Sequence, residues 1–183
     1  MDYWSSTVRV SRRGALAATL LASCAPKPQP PILSAIPTFI LTDQTGTEFR
    51  SEKLYGVPWV ASFFYANCTT HCPRLNTALF QLQQRTNRIH IVSFTVDPAT
   101  DSPAVLAQLA KRYKADATRW HLLTGAPERL SKISESFFAG KLSMEHTMHY
   151  LLVDADMRFR VRHRLEDGPE PLLKDIENIY GTA

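Results

Sequence analysis

The run Trp59-Val60-Ala61-Ser62-Phe63-Phe64-Tyr65 is apolar and aromatic with a single serine. A run of this kind, with no polar alternation, fits a strand buried on both faces: a central strand with helices packed above and below it. The string Asn67-Cys68-Thr69-Thr70-His71-Cys72-Pro73 follows. From Pro73 the apolar residues Leu75, Ala78, Leu79 and Leu82 recur at helical spacing to about Arg85. Strand, short loop and helix open a parallel crossover, which points to the α/β class. The same arrangement puts two thiols at the carboxyl end of a central strand, where open α/β sheets keep their chemistry.

The elements around it complete the pattern. Phe39 to Thr42 and Phe49-Arg50 flank the turn sequence Asp43-Gln44-Thr45-Gly46 and read as a short hairpin. Ile89 to Val96 is the next strand. Leu106, Leu109, Ala110 and Tyr113 mark a second helix that starts after Ser102-Pro103. Trp120 to Leu123 is a strand, and Leu130, Ile133 and Phe137 mark a third helix. Met148 to Val153 and Arg158 to Arg162 form a hairpin over Asp154-Ala155-Asp156, and a helix from Pro171 to Tyr180 closes the chain. This order predicts a thioredoxin-like fold with an N-terminal β-hairpin extension. Its β-to-helix-to-β crossovers require parallel strands and right-handed connections.

The beginning of the chain reads as delivery rather than fold. Arg9, Arg12 and Arg13 precede an uncharged run from Gly14 to Ser23, too short to span a bilayer as a mature helix. The run ends Leu21-Ala22-Ser23-Cys24, which resembles a bacterial lipobox, and Ser11-Arg12-Arg13 looks like part of a twin-arginine signal. Residues 1–23 are therefore expected to be a signal peptide and Cys24 a lipidated N-terminus. The mature protein is then anchored at a membrane surface in an oxidising compartment. Residues 24–37 carry Pro26, Pro28, Pro30 and Pro31 and read as an extended tether. At about 3.1 Å per residue it would hold the domain roughly 30–40 Å from the anchor. Residues 38–183 are one domain's length, enough for a core without extra staples. The net charge of +4 includes the basic signal, so no nucleic-acid partner is implied.

With Cys24 assigned to export, Cys68 and Cys72 are the thiols left to the domain. They offer a redox disulfide or a soft-metal site. Thioredoxin-type exchange typically uses Cys-x-x-Cys ahead of a helix. Here the loop is one residue longer and the proline follows the second cysteine, which leaves room for a metal between the sulfurs. Two thiolates under-fill such a site, and an imidazole would complete a three-coordinate copper centre. Haem attachment is excluded because Cys-x-x-Cys-His is absent, and a structural zinc site would want four ligands. Among the histidines, His71 is constrained by the cysteine loop itself. His90, His121 and His163 read as surface or core residues. His146 and His149 remain, on opposite faces of a strand by alternation, and periodicity does not choose between them.

Four blocks in order give the chain a family likeness: Leu41-Thr42-Asp43-Gln44-Thr45-Gly46; Phe63-Phe64-Tyr65 leading to Cys68-x-x-x-Cys72-Pro73; Ser93-Phe94-Thr95-Val96-Asp97-Pro98-Ala99-Thr100-Asp101; and His146 followed by Leu152-Val153. From about Phe39 to Arg162 the chain resembles the Sco/SenC proteins, thioredoxin-fold copper proteins that help assemble the CuA centre of cytochrome c oxidase. The resemblance implies copper, Cu(I) or Cu(II), held by Cys68, Cys72 and His146, with His149 turned away. It implies the CuA-bearing oxidase subunit, or another periplasmic copper protein, as partner. Family members often have a glycine in the hairpin after the histidine strand, where this chain has Asp156-Met157. Proteins of this look also act as thiol reductases. A thiol–disulfide oxidoreductase using a reversible Cys68–Cys72 disulfide is therefore the alternative, while the long cysteine loop argues against a peroxidase.

Several neighbouring residues carry a structural and a functional reading. Asp101 is expected to cap the second helix. Asp97 could equally tune the site or serve the fold. Phe63, Phe64 and Tyr65 are expected in the core, and the arginines from Arg158 to Arg164 on a solvated edge.

Overall fold

The structure, a computed structural model, describes residues 30–138 and 148–180. The strands are β1 (Ser34–Ala35), β2 (Ile40–Asp43), β3 (Glu48–Arg50), β4 (Trp59–Phe64), β5 (His90–Thr95), β6 (Trp120–Thr124), β7 (His149–Val153) and β8 (Arg158–Arg164). The helices are α1 (Cys72–Arg85), α2 (Pro103–Arg112), α3 (Pro127–Phe137) and α4 (Glu170–Tyr180). The described strands form one sheet in the order β1-β8-β7-β4-β5-β6-β2-β3. β4, β5 and β6 are parallel neighbours; β7 and β8 add antiparallel on one side, and β2 and β3 on the other.

The central run is buried on both faces, as its composition requires. Trp59, Ala61 and Phe63 enter one apolar cluster and Val60 and Phe64 the other. Leu130, Ile133 and Phe137 of α3 and the hairpin residues Leu41 and Phe49 cover the first face. Leu75, Leu79 and Leu82 of α1, Leu106 and Leu109 of α2, and Leu172 and Ile176 of α4 cover the second. Both cysteines lie in this second cluster. The serine in the run is not wasted: Ser62 Oγ lies 2.8 Å from Ser93 Oγ, which accepts the Trp120 indole N–H at 3.0 Å. Buried polar groups are thereby paired with one another.

The N-terminal hairpin closes the far edge through Gln44, which is buried. Its side-chain amide donates to the Trp120 carbonyl at 2.9 Å and accepts the Leu122 N–H at 2.8 Å, extending the β2–β6 ladder with a side chain. Asp43 shapes the turn by accepting the Thr45 and Thr47 amides, and Gly46 takes a φ of +80° there, in the left-handed region that glycine tolerates.

Two expectations are corrected at the opposite edge. The tether was expected to run free through residue 37, yet Ser34–Ala35 form an added edge strand, flanked by backbone bonds from residues 33 and 36. The Leu33 amide donates to Phe159 O and the Ile36 amide to Met157 O, each at 2.8 Å, and Ile36 enters the core. The arginines of β8 were expected in solvent. Arg158, Arg162 and Arg164 are exposed, but Arg160 is buried. It pairs with buried Asp154 at 2.8 Å and donates from Nε to the Pro30 carbonyl at 3.0 Å. The proline-rich segment thus gains a partner that local sequence does not reveal. At the β7–β8 turn Met157 adopts φ 61°, and its side chain is buried in the core, which offsets the strain of a non-glycine residue there.

Candidate metal centre

β4 ends at Phe64 and α1 starts at Cys72, so the cysteine loop occupies residues 65–71. The loop opens with a tight turn in which the Cys68 amide donates to the Tyr65 carbonyl at 3.2 Å. This turns the Cys68 side chain back onto the start of α1, one residue earlier than the Pro73 start expected from the sequence. There the Cys72 amide donates to Cys68 Sγ at 3.2 Å. Helix N-termini leave their first amides without intrahelical partners, and His71 at the N-cap offers no side-chain acceptor. The Cys68 sulfur takes that place. Pro73 has no amide to satisfy, which suits the first turn.

Both cysteines are unbridged thiols, Cys68 at 8% exposure and Cys72 at 2%. Burial by itself would push the Cys68 thiol up. It is outweighed by hydrogen bonds from the Cys72 side chain and amide, the Thr70 amide and the Tyr65 hydroxyl, which bring it from 9.0 down to about 6. Cys68 is therefore largely thiolate at neutral pH, the form that binds metals and attacks disulfides. The Tyr65 phenol moves the opposite way, raised first by its hydrogen bond to Cys68 and then by the charge on that sulfur.

Tyr65 was expected in the core and is a correction: it is half-buried and its hydroxyl serves the site. The available signal was a tyrosine at the end of a buried run, whose hydroxyl needs a partner. Phe63 and Phe64 are fully buried, as expected.

Asp101 is also corrected. The cap of α2 is Ser102, whose Oγ accepts the Val105 amide. Asp101 instead turns inward, and its two carboxylate oxygens accept the Ala66 amide of the cysteine loop at 3.2 and 3.1 Å. Asp97 closes the turn beside it, its carbonyl accepting the Thr100 and Asp101 amides and its carboxylate the Thr100 hydroxyl.

The histidines separate clearly. His149 opens β7 with its ring against Phe138, centroids 5.6 Å apart. That is the face of Trp59 and Phe63, opposite the cysteines, as alternation predicts. His90 and His121 stack on each other at 5.7 Å. His90 pairs in register with Trp59, so this stack lies at the amino ends of the strands, about 20 Å from the cysteine end. Burial lowers both, His121 to about 4. His163 shares a hydrogen bond with Asp175 at 2.8 Å, and His71 is exposed at the α1 N-cap. Cys24 and His146 lie outside the described residues. Among the described residues no cluster of three or more metal-ligating side chains forms.

Comparison with known proteins bears on the family and the fold. The SCO1/SenC family model matches residues 29–181. The SCO1 protein homolog of Bacillus subtilis is 32% identical over 99 residues, 52% of this chain and 51% of that protein, so the match spans about half the relative's length. The crystal structure of a SCO1/SenC family lipoprotein from Bacillus anthracis superposes with a TM-score of 0.72 at 28% identity, covering 80% of this chain and 95% of that one. The structure of Bradyrhizobium japonicum ScoI with copper bound follows at 25% identity and a TM-score of 0.62, covering 79% and 98%. Both the ordered likeness along the sequence and the shared thioredoxin-like architecture lead to one conclusion: the chain belongs to the SCO1/SenC family.

Proposed function

We propose that the protein is an exported, membrane-anchored copper metallochaperone. Cys68, Cys72 and His146 hold the ion, and the acceptor is the CuA-bearing subunit of cytochrome c oxidase. The single observation that carries this reading is the Cys68–Cys72 arrangement. Two unbridged thiols share one loop, with one sulfur hydrogen-bonded at a helix N-terminus and its thiol brought to about 6. Thiolates of this kind fit a soft cargo such as Cu(I). A relative whose solved structure carries copper supports the choice of metal. His146 is favoured as third ligand by the family motif and by the places of the described histidines other than His71, which are engaged elsewhere or turned to the other face.

In this reading the residues divide the work. Cys68 is deprotonated before copper arrives, so binding there releases little proton at neutral pH. Both cysteines bind the ion as thiolates, as metal-bound thiols must. Tyr65 and the Cys72 amide hold the Cys68 sulfur while it awaits its cargo. A three-coordinate ion can accept an incoming ligand from the acceptor before losing one of its own, which suits handover rather than storage.

For delivery, residues 1–23 are the signal peptide and Cys24 the lipidated residue; the lipoprotein among the structural relatives supports this. The tether then spans residues 24 to about 29, shorter than the sequence suggests, because the domain begins with the strap on β8. Mass spectrometry of membrane-extracted protein is expected to give a diacylated mature chain starting at Cys24. An unmodified Cys24 refutes it.

A second reading has an observation of its own. A thiol near 6, paired with a second thiol at a helix start, also fits reduction of an acceptor's disulfide. His146 separates the two. In cells carrying His146→Ala, copper delivery predicts loss of oxidase activity with the acceptor subunit still present; full activity favours the thiol reductase.

A further inference from the structure

Asp101 is a carboxylate with no exposed surface. Among the described residues no cation pairs with it, so hydrogen bonds alone must replace its water. Those bonds all serve the cysteine loop or the turn that aims Asp101 at it. The Thr95 hydroxyl donates to Oδ2 at 2.5 Å, and both oxygens accept the Ala66 amide. Thr95 Oγ1 in turn accepts the Asp97 amide at 2.9 Å, and the Asp97 carbonyl accepts the Asp101 amide at 3.0 Å.

Ala66 is the second residue of the turn that runs from Tyr65 to Cys68. Fixing its amide fixes the peptide plane between Tyr65 and Ala66, and so the carbonyl that receives the Cys68 amide. The same turn carries the Tyr65 hydroxyl to the Cys68 sulfur. A continuous line of bonds therefore runs from the β5–α2 loop through Ala66 and Cys68 to the first amide of α1. Removing a buried carboxylate from this line leaves an orphaned amide in the cysteine loop. Helix capping, the other duty open to a carboxylate here, is already performed by Ser102.

We propose that Asp101 is a positioning residue for the cysteine pair: it pins the Ala66 amide and so sets the placement of the Cys68 sulfur relative to Cys72. The inference rests on the reading of Cys68 and Cys72 as the working pair, but not on copper being the cargo. Asp101 touches neither sulfur and acts through the loop.

The test compares the full-length chain with its Asp101→Ala, Asp101→Asn and Thr95→Val variants. Two readouts are taken on each: the Cys68–Cys72 dithiol–disulfide equilibrium against glutathione buffers, and Cu(I) retention against a chromophoric Cu(I) chelator. Asn keeps an acceptor for the Ala66 amide, whereas Ala removes it. The expected result is a shift of at least about tenfold in the dithiol–disulfide equilibrium for Asp101→Ala, equal to about 30 mV. Asn should restore it to within about threefold, and Thr95→Val should fall between. If Asp101→Ala does not fold, the Asn and Val variants carry the comparison, and Val must then depart from wild type in the same direction by more than Asn. Wild-type equilibria in all folded variants overturn the proposal, even with lowered melting temperatures. An Asn variant displaced as far as Ala also overturns it, because charge rather than the bond to Ala66 would then be responsible. Failure of the wild type to retain Cu(I) sinks the copper reading while leaving the thiol comparison intact.

Discussion

Lowering the pH of the reduced, copper-free protein should remove a definite part of its stability through Cys68. Its thiol lies at about 6 in the fold against an ordinary 9.0, because bonds from the Cys72 side chain and amide, the Thr70 amide and Tyr65 outweigh the opposing effect of burial. A group whose folded value is depressed stabilises the fold when ionised, so the contribution is complete above pH 9 and lost as pH falls through about 6. Three units at 1.36 kcal/mol each make about 4 kcal/mol at high pH, and about 1.4 kcal/mol at pH 7. The assay is urea unfolding under a phosphine reductant from pH 5 to 9, for wild type and Cys68→Ser. Serine does not titrate in this range, so the difference between the two isolates the thiol from the histidines. That difference should grow by about 1.4 kcal/mol per pH unit between about 6 and 9. Iodoacetamide should alkylate Cys68 with a midpoint near 6. A difference that stays flat with pH, together with an alkylation midpoint near 9, refutes the claim that the α1 amide and Tyr65 hold a thiolate.

Other consequences can be checked on the same protein. Tyr65→Phe removes one donor to the Cys68 sulfur, so the alkylation midpoint should rise; an unchanged midpoint means the phenol does not serve the thiolate. Asp154→Ala removes the carboxylate paired with the buried guanidinium of Arg160 and should cost about 3–5 kcal/mol in urea unfolding, with faster hydrogen exchange at Leu33 and Ile36; a loss below about 1 kcal/mol contradicts a buried pair. His149→Ala should leave copper stoichiometry and its spectroscopic signature unchanged, because His149 packs on Phe138 across the sheet from the cysteines; loss of copper would place the third ligand on the wrong residue.

What could be read in the sequence was what local pattern controls. The run from Trp59 is apolar on both parities, and it became the central strand with alternate side chains in the two cores. The cysteine loop, the Asp43–Gly46 hairpin turn and the helical repeats followed from spacing alone. What stayed hidden depends on partners distant in the chain. Nothing near Ser34 announces that β8 will accept it, and prolines at 30 and 31 argue for a free tether until Arg160 is seen holding the Pro30 carbonyl. Asp101 and Ser102 are adjacent and equally able to cap a helix. Only the nearness of the Ala66 amide, set by the β4–β5 pairing, decides which turns inward. Tyr65 was lost in the aromatic run because a tyrosine at a strand end looks like core until its hydroxyl has a neighbour.

The central claim is that Cys68, Cys72 and His146 together hold copper. The most direct measurement is metal analysis of the purified full-length chain after Cu(I) and Cu(II) loading and desalting, with electron-resonance spectra of the Cu(II) form, for wild type, Cys68→Ser, Cys72→Ser and His146→Ala. The account predicts one copper per wild-type chain in either state and no tight binding of either state without both cysteines, since the soft ligands supply the selectivity. It predicts that His146→Ala keeps Cu(I) but binds Cu(II) poorly, with an altered spectrum. Full Cu(I) retention by either cysteine variant, or wild-type Cu(II) binding and spectrum in His146→Ala, contradicts it.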